Sequence, residues 1–389
     1  MSTVSNTNSE IERKKQEKRI VSLDFLKGII MVLMSIDHVR FFYHIDARNF
    51  DPLDLTQTNP LLFMTRWITH FCAPLFIFLA GLSVFLMRQH RSKADVSKFL
   101  WTRGLFLILL ELTLFRFCWN PNIFRPVFSL LVIWVIGITM IIMAAIQYLP
   151  KRYILGIGLS IMLGHNLMQS IVVPEQSWFY PFWVFFYAGG GIAVGNYYIY
   201  VLYSFFPYIG MICLGYSFAE LYQADFSAQR RKQLLLQLGF ASLLLFILLR
   251  ITNLYGDPSS WNMQDGFVNS ILAFINTTKY PLSLQFTLMT LGPAFLLLAF
   301  TENLSGKIAS VFILFGKIPM FYYIMHLIFI PFSEYLLARI FTGKVQIQQF
   351  NLLVVYLALL IINSLLYFVC KRFLNYKSRH RDKNWLRYI

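Results

Sequence analysis

Asp37 and His38 lie next to each other in RIVSLDFLKGIIMVLMSIDHVRFFYH, with Arg40, His44 and Asp46 close behind. Further along, TRWITHFCAP sets Arg66 and His70 four residues apart, which is one helical face. A histidine of near-neutral pKa can take a proton from a hydroxyl or amine as general base. It can also carry an acyl group as nucleophile, while a second histidine, an arginine or a lysine stabilises the developing oxyanion. Acyl transfer is therefore the chemistry these residue types suit. His38, His70, Arg66, His44 and Asp37 are the candidate catalytic residues. Arg40, Arg250, Asn253 and His326 are candidates for the substrate side. So are Asp257, Trp261, Lys279 and Tyr280, from the aromatic stretch LYGDPSSWNMQDGFVNSILAFINTTKYPLS.

Blander roles are weighed against these. A single buried histidine is often satisfied by a backbone carbonyl, and His44 also reads as an interfacial loop residue. His326 also reads as packing glue between helices, and Asp24 with Lys27 as an internal ion pair. His165, beside Asn166, reads as packing. Glu111 needs a partner on another helix. No GxSxG, P-loop, GxGxxG or HExxH motif is present, so hydrolase and nucleotide-binding readings lack support.

The elements that must position these groups are membrane helices. Of 389 residues, 57% are apolar and only 13% charged, against roughly 25% charged in soluble domains. The net charge of +16 falls in short clusters between apolar runs. That is the pattern of anchors on a cytoplasmic surface rather than of a nucleic-acid binder. Cys72, Cys118, Cys213 and Cys370 have no ligand spacing, so neither a disulfide framework nor a metal site is expected. Candidate spans run near 20–42, 63–87, 99–117, 127–148, 153–173, 200–222, 233–252, 284–301, 316–336 and 350–370. The fold expected is an all-α, polytopic bundle of about ten transmembrane helices with both termini cytoplasmic. Residues 1–18 read as a disordered basic segment, 19–370 as one membrane domain and 371–389 as a basic tail. Residues 178–199 are apolar enough to span, but a span there would turn the basic tail outward. They read as an interfacial or re-entrant piece broken at Gly189, Gly190 and Gly191. In the first helix Asp24, Lys27, Ser35 and His38 form a stripe about 80° wide, which must face the bundle interior. Pro74, four residues after His70, displaces the His70 carbonyl and kinks the second helix. The stretch after Asn253 reads as a lid held by Trp261 and Phe267, with Asp257, Trp261, Asn276 and Lys279 facing a cavity.

RIVSLDFLKGIIMVLMSIDH, TRWITHFCAPLFIFLAGLSVFL, NLYGDPSSW, FINTTKYPLSLQFTLMTLGP and GKIPMFYYIMH together resemble bacterial membrane proteins related to the heparan-α-glucosaminide N-acetyltransferase catalytic domain. The resemblance covers roughly residues 19–370. Lys27-Gly28 with His38 ten residues after the glycine is similar to the LRG…His start of the wider transmembrane acyltransferase family. The heparan enzyme has Asn where His38 stands, and its functional histidine falls in the following loop, nearest His44. The resemblance implies acyl-CoA, with acetyl-CoA as the family's kind, bound from the cytoplasmic side without a metal cofactor. It further implies transfer to an extracytoplasmic sugar or glycan in a bacterial inner membrane. Lys27, Arg88, Arg103 and Lys317 are then the candidates for the CoA phosphates. The partners expected are the bilayer and the acceptor, with no nucleic acid; the oligomeric state stays open, a homodimer included. The competing reading is a carrier for an anionic metabolite or lipid-linked sugar with a histidine proton relay. No internal symmetry between halves supports it.

Overall fold

The computed structural model describes residues 20–120, 122, 124–302, 304–343, 350–380 and 382–389. The N-terminal segment read as disordered lies outside the described residues. The helices in chain order begin with α1 (Val21–Tyr43), α2 (Pro60–Arg88) and α3 (Lys93–Leu110). A π turn (Glu111–Phe115) and a last helical turn (Arg116–Trp119) extend α3. Then come α4 (Val132–Ile146), α5 (Lys151–Gly164), α6 (Tyr180–Trp183) and α7 (Phe206–Phe218). The remainder are α8 (Ala228–Thr252), α9 (Phe267–Ile275), α10 (Leu284–Phe300), α11 (Lys307–Lys317), α12 (Pro319–Thr342) and α13 (Leu352–Arg379). Among the described residues, four segments are long and apolar enough to cross a membrane: Pro60–Arg88, Ala228–Thr252, Pro319–Phe341 and Leu352–Arg379.

The connections gather at two ends. At the basic end Lys93 Nζ donates to the Tyr148 carbonyl, Lys151 pairs with Glu220, and Arg231 pairs with Glu302. At the opposite end Asn276 Nδ2 donates to the Leu53 carbonyl, and Trp67 Nε1 to the Ile275 carbonyl. There too the Tyr280 hydroxyl meets Tyr203.

The chain is mostly helical, as expected, and carries a small sheet besides. β1 (Val127–Leu130), β2 (Gly190–Val194) and β3 (Tyr197–Val201) form a sheet of order β1-β3-β2, with β1 parallel and β2 antiparallel to β3. Val127 pairs with Tyr198, and Ile192 with Ile199. Leu130, Val184, Ile192 and Val201 make a small core beneath it. Residues 178–199 therefore do not span as a helix. α6 and its π turn (Val184–Ala188) stop at Gly189, whose φ of 69° suits glycine, and a hairpin follows. The apolar run 127–148 opens as a strand before it becomes a helix. The span placed at 316–336 is preceded by a separate helix, α11. The region read as a tail continues α13 to Arg379, and a short 3-10 turn (Asn384–Arg387) folds back onto α3.

Two helix pairs approach backbone to backbone, the small-residue packing typical of membrane bundles. α11 runs antiparallel to α1: a Cβ on Gly28 would overlap the Phe312 carbonyl oxygen, and one on Gly316 would overlap that of Asp24. α2 meets α7 in the same way through Gly81 and Gly215. Asp24, Ser35 and His38 are buried in the first helix, so its polar stripe faces inward as expected. Gly28→Ala overpacks this contact at a cost of about 1–3 kcal/mol. Gly156→Ala, with nothing within 4 Å of the added Cβ, does not. The expected result is a lower thermal midpoint for the first variant only; equal midpoints contradict the close approach.

Candidate functional site

The polar stripe of α1 ends in a histidine pair. His38 Nδ1 lies 2.7 Å from His326 Nε2, with the ring planes 8° apart. His326, fully buried on α12, has its Nδ1 3.0 Å from the Tyr322 carbonyl. A carbonyl only accepts, so His326 Nδ1–H is the donor there and its Nε2 is an acceptor in the neutral ring. His38 must then donate through Nδ1–H. That tautomer leaves the His38 Nε2 lone pair for other work. Trp119, at the end of the α3 extension, packs edge-on to the His38 ring at 5.0 Å, and Tyr323 lies edge-on at 6.4 Å.

Beside the pair, Asp37 is held from two sides. Arg40 Nη2 donates to Asp37 Oδ1 at 2.9 Å, and Arg66 Nη1 to Oδ2 at 2.6 Å. Arg66 also donates to Thr69 Oγ1 at 3.1 Å. A 3-10 turn (Ile68–Phe71) interrupts α2 just ahead of Pro74, as the missing hydrogen bond requires, and carries His70 inward. His70 is fully buried, and neither ring nitrogen has a hydrogen-bond partner among the described residues.

Two cavities flank this region. One, of about 300 Å³, lies at the end opposite the basic clusters and is lined by Arg66, His70, Asn276, Thr278, Lys279 and Tyr280, with Asp51 and Asp54 also in its wall. The other, of about 280 Å³, is lined by apolar side chains together with Lys27, Ser83, Arg103 and Tyr323. Tyr323 connects it to the histidine pair, its ring 5.1 Å from His326. In the loops opposite the basic end, burial alone would raise the Tyr280 phenol. The Lys279 ammonium and Arg66 guanidinium outweigh that and bring it below the ordinary phenol range. Hydrogen bonds from Thr56 and Gln57 hold the Asp54 carboxyl low.

Several sequence-derived placements change. His326 faces no substrate cavity; it is the buried partner of His38. Arg40 is buried against Asp37. His44 accepts the Asp46 amide at Nδ1 and pairs its backbone with Phe350, away from both cavity walls. Arg250 is a backbone clamp: it donates to the carbonyls of Phe274, Ser259, Ala273 and Asn276 at 2.9, 2.8, 3.0 and 2.7 Å. Asp257 accepts from the Thr278 amide and hydroxyl, the Ser259 amide and the Ser283 hydroxyl. It is turned into its own loop rather than toward a cavity. Asn253 closes the same loop by exchanging two hydrogen bonds with the Trp261 backbone. Trp261 packs on Phe274, while Phe267 stays exposed. Of the four residues assigned to CoA, Lys27 and Arg103 line the cavity of about 280 Å³, whereas Arg88 and Lys317 lie outside its wall. Glu111 has no arginine partner among the described residues: its carboxylate accepts the Trp134 amide at 3.0 Å and so caps the start of α4. Its π turn is what lets a mid-helix carboxylate reach that helix end.

Sequence reasoning missed Tyr203, Asp51 and Asp54. The two acids were legible in the short DPLDL loop between the first two helices, whereas Tyr203 carried no signal apart from its fold position.

A family model described as the catalytic region of heparan-alpha-glucosaminide N-acetyltransferase matches residues 19–250, more than half of the chain. The chain belongs to this family. It is a membrane protein of an acetyltransferase-like group. The match takes in His38, Arg66 and His70, while Lys279, Tyr280 and His326 lie beyond it. A comparison with curated proteins gives no match.

Arg250→Met removes this donor from the carbonyls of Phe274, Ser259 and Asn276 and one of two donors from that of Ala273, and a carbonyl left buried and unpaired costs about 1–3 kcal/mol. Limited proteolysis should then cut within residues 254–283 at protease levels that leave the wild type whole. Equal resistance would show that the clamp does not hold this loop.

Proposed function

We propose that the protein is a membrane acyltransferase that moves a short acyl group, acetyl in the simplest case, from acyl-CoA on the cytoplasmic side to an extracytoplasmic sugar or glycan. The observation that carries this reading is the tautomer of His38. Its bond to His326 commits Nδ1 and leaves Nε2 as a base, in a region flanked by one cavity with basic groups and another with a buried histidine. Family membership supports the reaction class. The basic clusters at one end of the bundle support a cytoplasmic placement of that end, with both termini there and the helices crossing about ten times in a bacterial inner membrane.

In this scheme Lys27 and Arg103 meet the CoA phosphates as point charge and fork. Two routes fit the remaining groups. In the direct route the acceptor amine or hydroxyl attacks the thioester carbonyl while His38 Nε2 takes its proton. The C–S bond then breaks, and the CoA thiolate leaves and is protonated by the imidazolium. In the two-step route His38 Nε2 attacks the thioester carbonyl, the C–S bond breaks and the CoA thiolate leaves. The acceptor then attacks the acyl carbon, the Nε2–acyl bond breaks, and the acceptor's proton passes to the departing imidazole or the thiolate. Arg66, fixed by Asp37, and His70 stabilise the oxyanion that forms on the carbonyl.

Purified protein incubated with radiolabelled acetyl-CoA tests both routes. His38→Ala should lower transfer by about a hundred- to ten-thousand-fold, the usual range for a lost general base. Label on wild-type protein that His38→Ala abolishes selects the two-step route, and CoA release without bound label selects the direct one. Full transfer by His38→Ala, or flux through proteoliposomes without any acyl product, would overturn the proposal. His326→Phe removes the acceptor that fixes the tautomer. It should lower kcat with KM for acetyl-CoA little changed; an unchanged kcat would argue against a positioning role.

A further inference from the structure

Among the described residues, hydrogen bonds hold the Arg103 guanidinium from one corner only. The chain beyond α13 returns to α3 in a short 3-10 turn (Asn384–Arg387). Arg103 Nη1 donates to the Arg387 carbonyl at 2.9 Å and to the Tyr388 carbonyl at 3.0 Å. An Nη nitrogen carries two hydrogens, so both are committed to this turn. Nε and Nη2 donate to no acceptor among the described residues, and neither is a buried atom. That leaves open the planar Nε–Nη2 edge, one of the two forks with which a guanidinium grips a phosphate through parallel bonds. Arg103 lines the mostly apolar cavity of about 280 Å³ together with Lys27.

The turn has an anchor of its own. Leu386 is buried, and the Tyr388 ring packs on Phe99 and Phe106, each centroid 5.8 Å away. The Tyr388 hydroxyl lies 2.8 Å from Thr102 Oγ1. Thr102 gives its one hydroxyl hydrogen to its own helix, at the Lys98 carbonyl, so Tyr388 is the donor to Thr102. Phe99 lies under the Tyr388 ring and in the cavity wall at once, with the Arg103 guanidinium 5.8 Å from its centroid. A long arginine side chain loses much rotamer freedom when a ligand fixes it. Here the turn has fixed it beforehand, which is pre-organisation. A plug over the cavity would cover both forks of the guanidinium. This turn blocks the Nη1–Nη2 fork and leaves the other.

We propose that the C-terminal turn completes the donor site: Tyr388 docks it, its carbonyls set the Arg103 guanidinium, and the Nε–Nη2 edge takes a phosphate of acyl-CoA. Tyr388 is then a positioning residue that acts through Arg103. The turn lies beyond the residues matched by the family model. The inference rests on the acyltransferase reading, which puts the CoA phosphates at Lys27 and Arg103.

The test is equilibrium binding of acetyl-CoA and of S-acetylpantetheine, the same thioester without any phosphate, to the full-length protein in detergent. Arg103→Met should weaken acetyl-CoA about tenfold, as the loss of a charge-assisted contact does, and leave acetylpantetheine unchanged. Tyr388→Ala should do the same although Arg103 is present, and the double variant should lose no more than either alone. Four results for Tyr388→Ala would overturn the inference: unchanged acetyl-CoA binding, the tighter binding that removal of a plug gives, equal weakening of both ligands, or full additivity with Arg103→Met. If Arg103→Met alone still weakens acetyl-CoA selectively, the donor-site reading stands without the inference. Full acetyl-CoA affinity in Arg103→Met removes both. Thermal midpoints show whether the variants fold. Should Tyr388→Ala not fold, Thr102→Val decides, because it removes only the acceptor of the Tyr388 hydroxyl. It should weaken acetyl-CoA alone by about two- to tenfold, and unchanged binding would overturn the inference.

Discussion

The bond between His38 and His326 is the constraint on which the site depends. Two imidazoles at 2.7 Å, both buried, cannot each donate and cannot each accept. The Tyr322 carbonyl decides the matter by accepting from His326 Nδ1–H. Everything that holds α12 against α1 therefore also holds the protonation pattern of His38. Tyr43 donates to Ser333 Oγ at 2.7 Å, and Tyr322 donates to Asn363 Oδ1. Asn363 Nδ2 in turn reaches Ser35 on α1. These bonds tie α1, α12 and α13 together around the pair.

A second level of support comes from helix ends and loops. α11 is pressed against α1 by Gly28 and Gly316, which places the wall containing Lys27 at a fixed distance from the histidines. On the other side Arg250 and Asp257 organise the segment from Tyr255 to Ser283. Both are charged and neither touches a cavity. Arg250 meets four backbone carbonyls and Asp257 two backbone amides and two hydroxyls, which explains how a long connection stays ordered without regular structure over most of its length. Lys279 and Tyr280 are presented to the cavity opposite the basic end by this scaffold.

Much of this was legible from residue order because the physics was local. A polar stripe on an apolar helix has to face inward, so the inward face of α1 follows from spacing alone. Pro74 had to disturb the helix at His70, and it does so with a 3-10 turn. The break at Gly189 was legible because three consecutive glycines follow no helical rule, although the hairpin after it was not. What could not be read was pairing at a distance. His326 stands 288 residues from His38, and nothing in FYYIMHLIF states which ring it will meet. Arg250 and Asp257 looked like ligand residues because charge near a membrane usually is functional. The backbone carbonyls that satisfy Arg250 carry no side-chain signature. Glu111 misled for the same reason, since its partner is a helix end rather than an arginine.

The most direct test is the tautomer of His38. Protein carrying nitrogen-15 in its histidines, studied by solid-state magnetic resonance in lipid at mildly alkaline pH, reports which ring nitrogen holds the proton. The His38→Ala and His326→Phe variants assign the signals. The bond to His326 predicts a protonated Nδ1 and a bare Nε2 on His38, with a one-bond pattern that changes when His326 is replaced. A proton resident on His38 Nε2, or a His38 signal indifferent to His326, would contradict it.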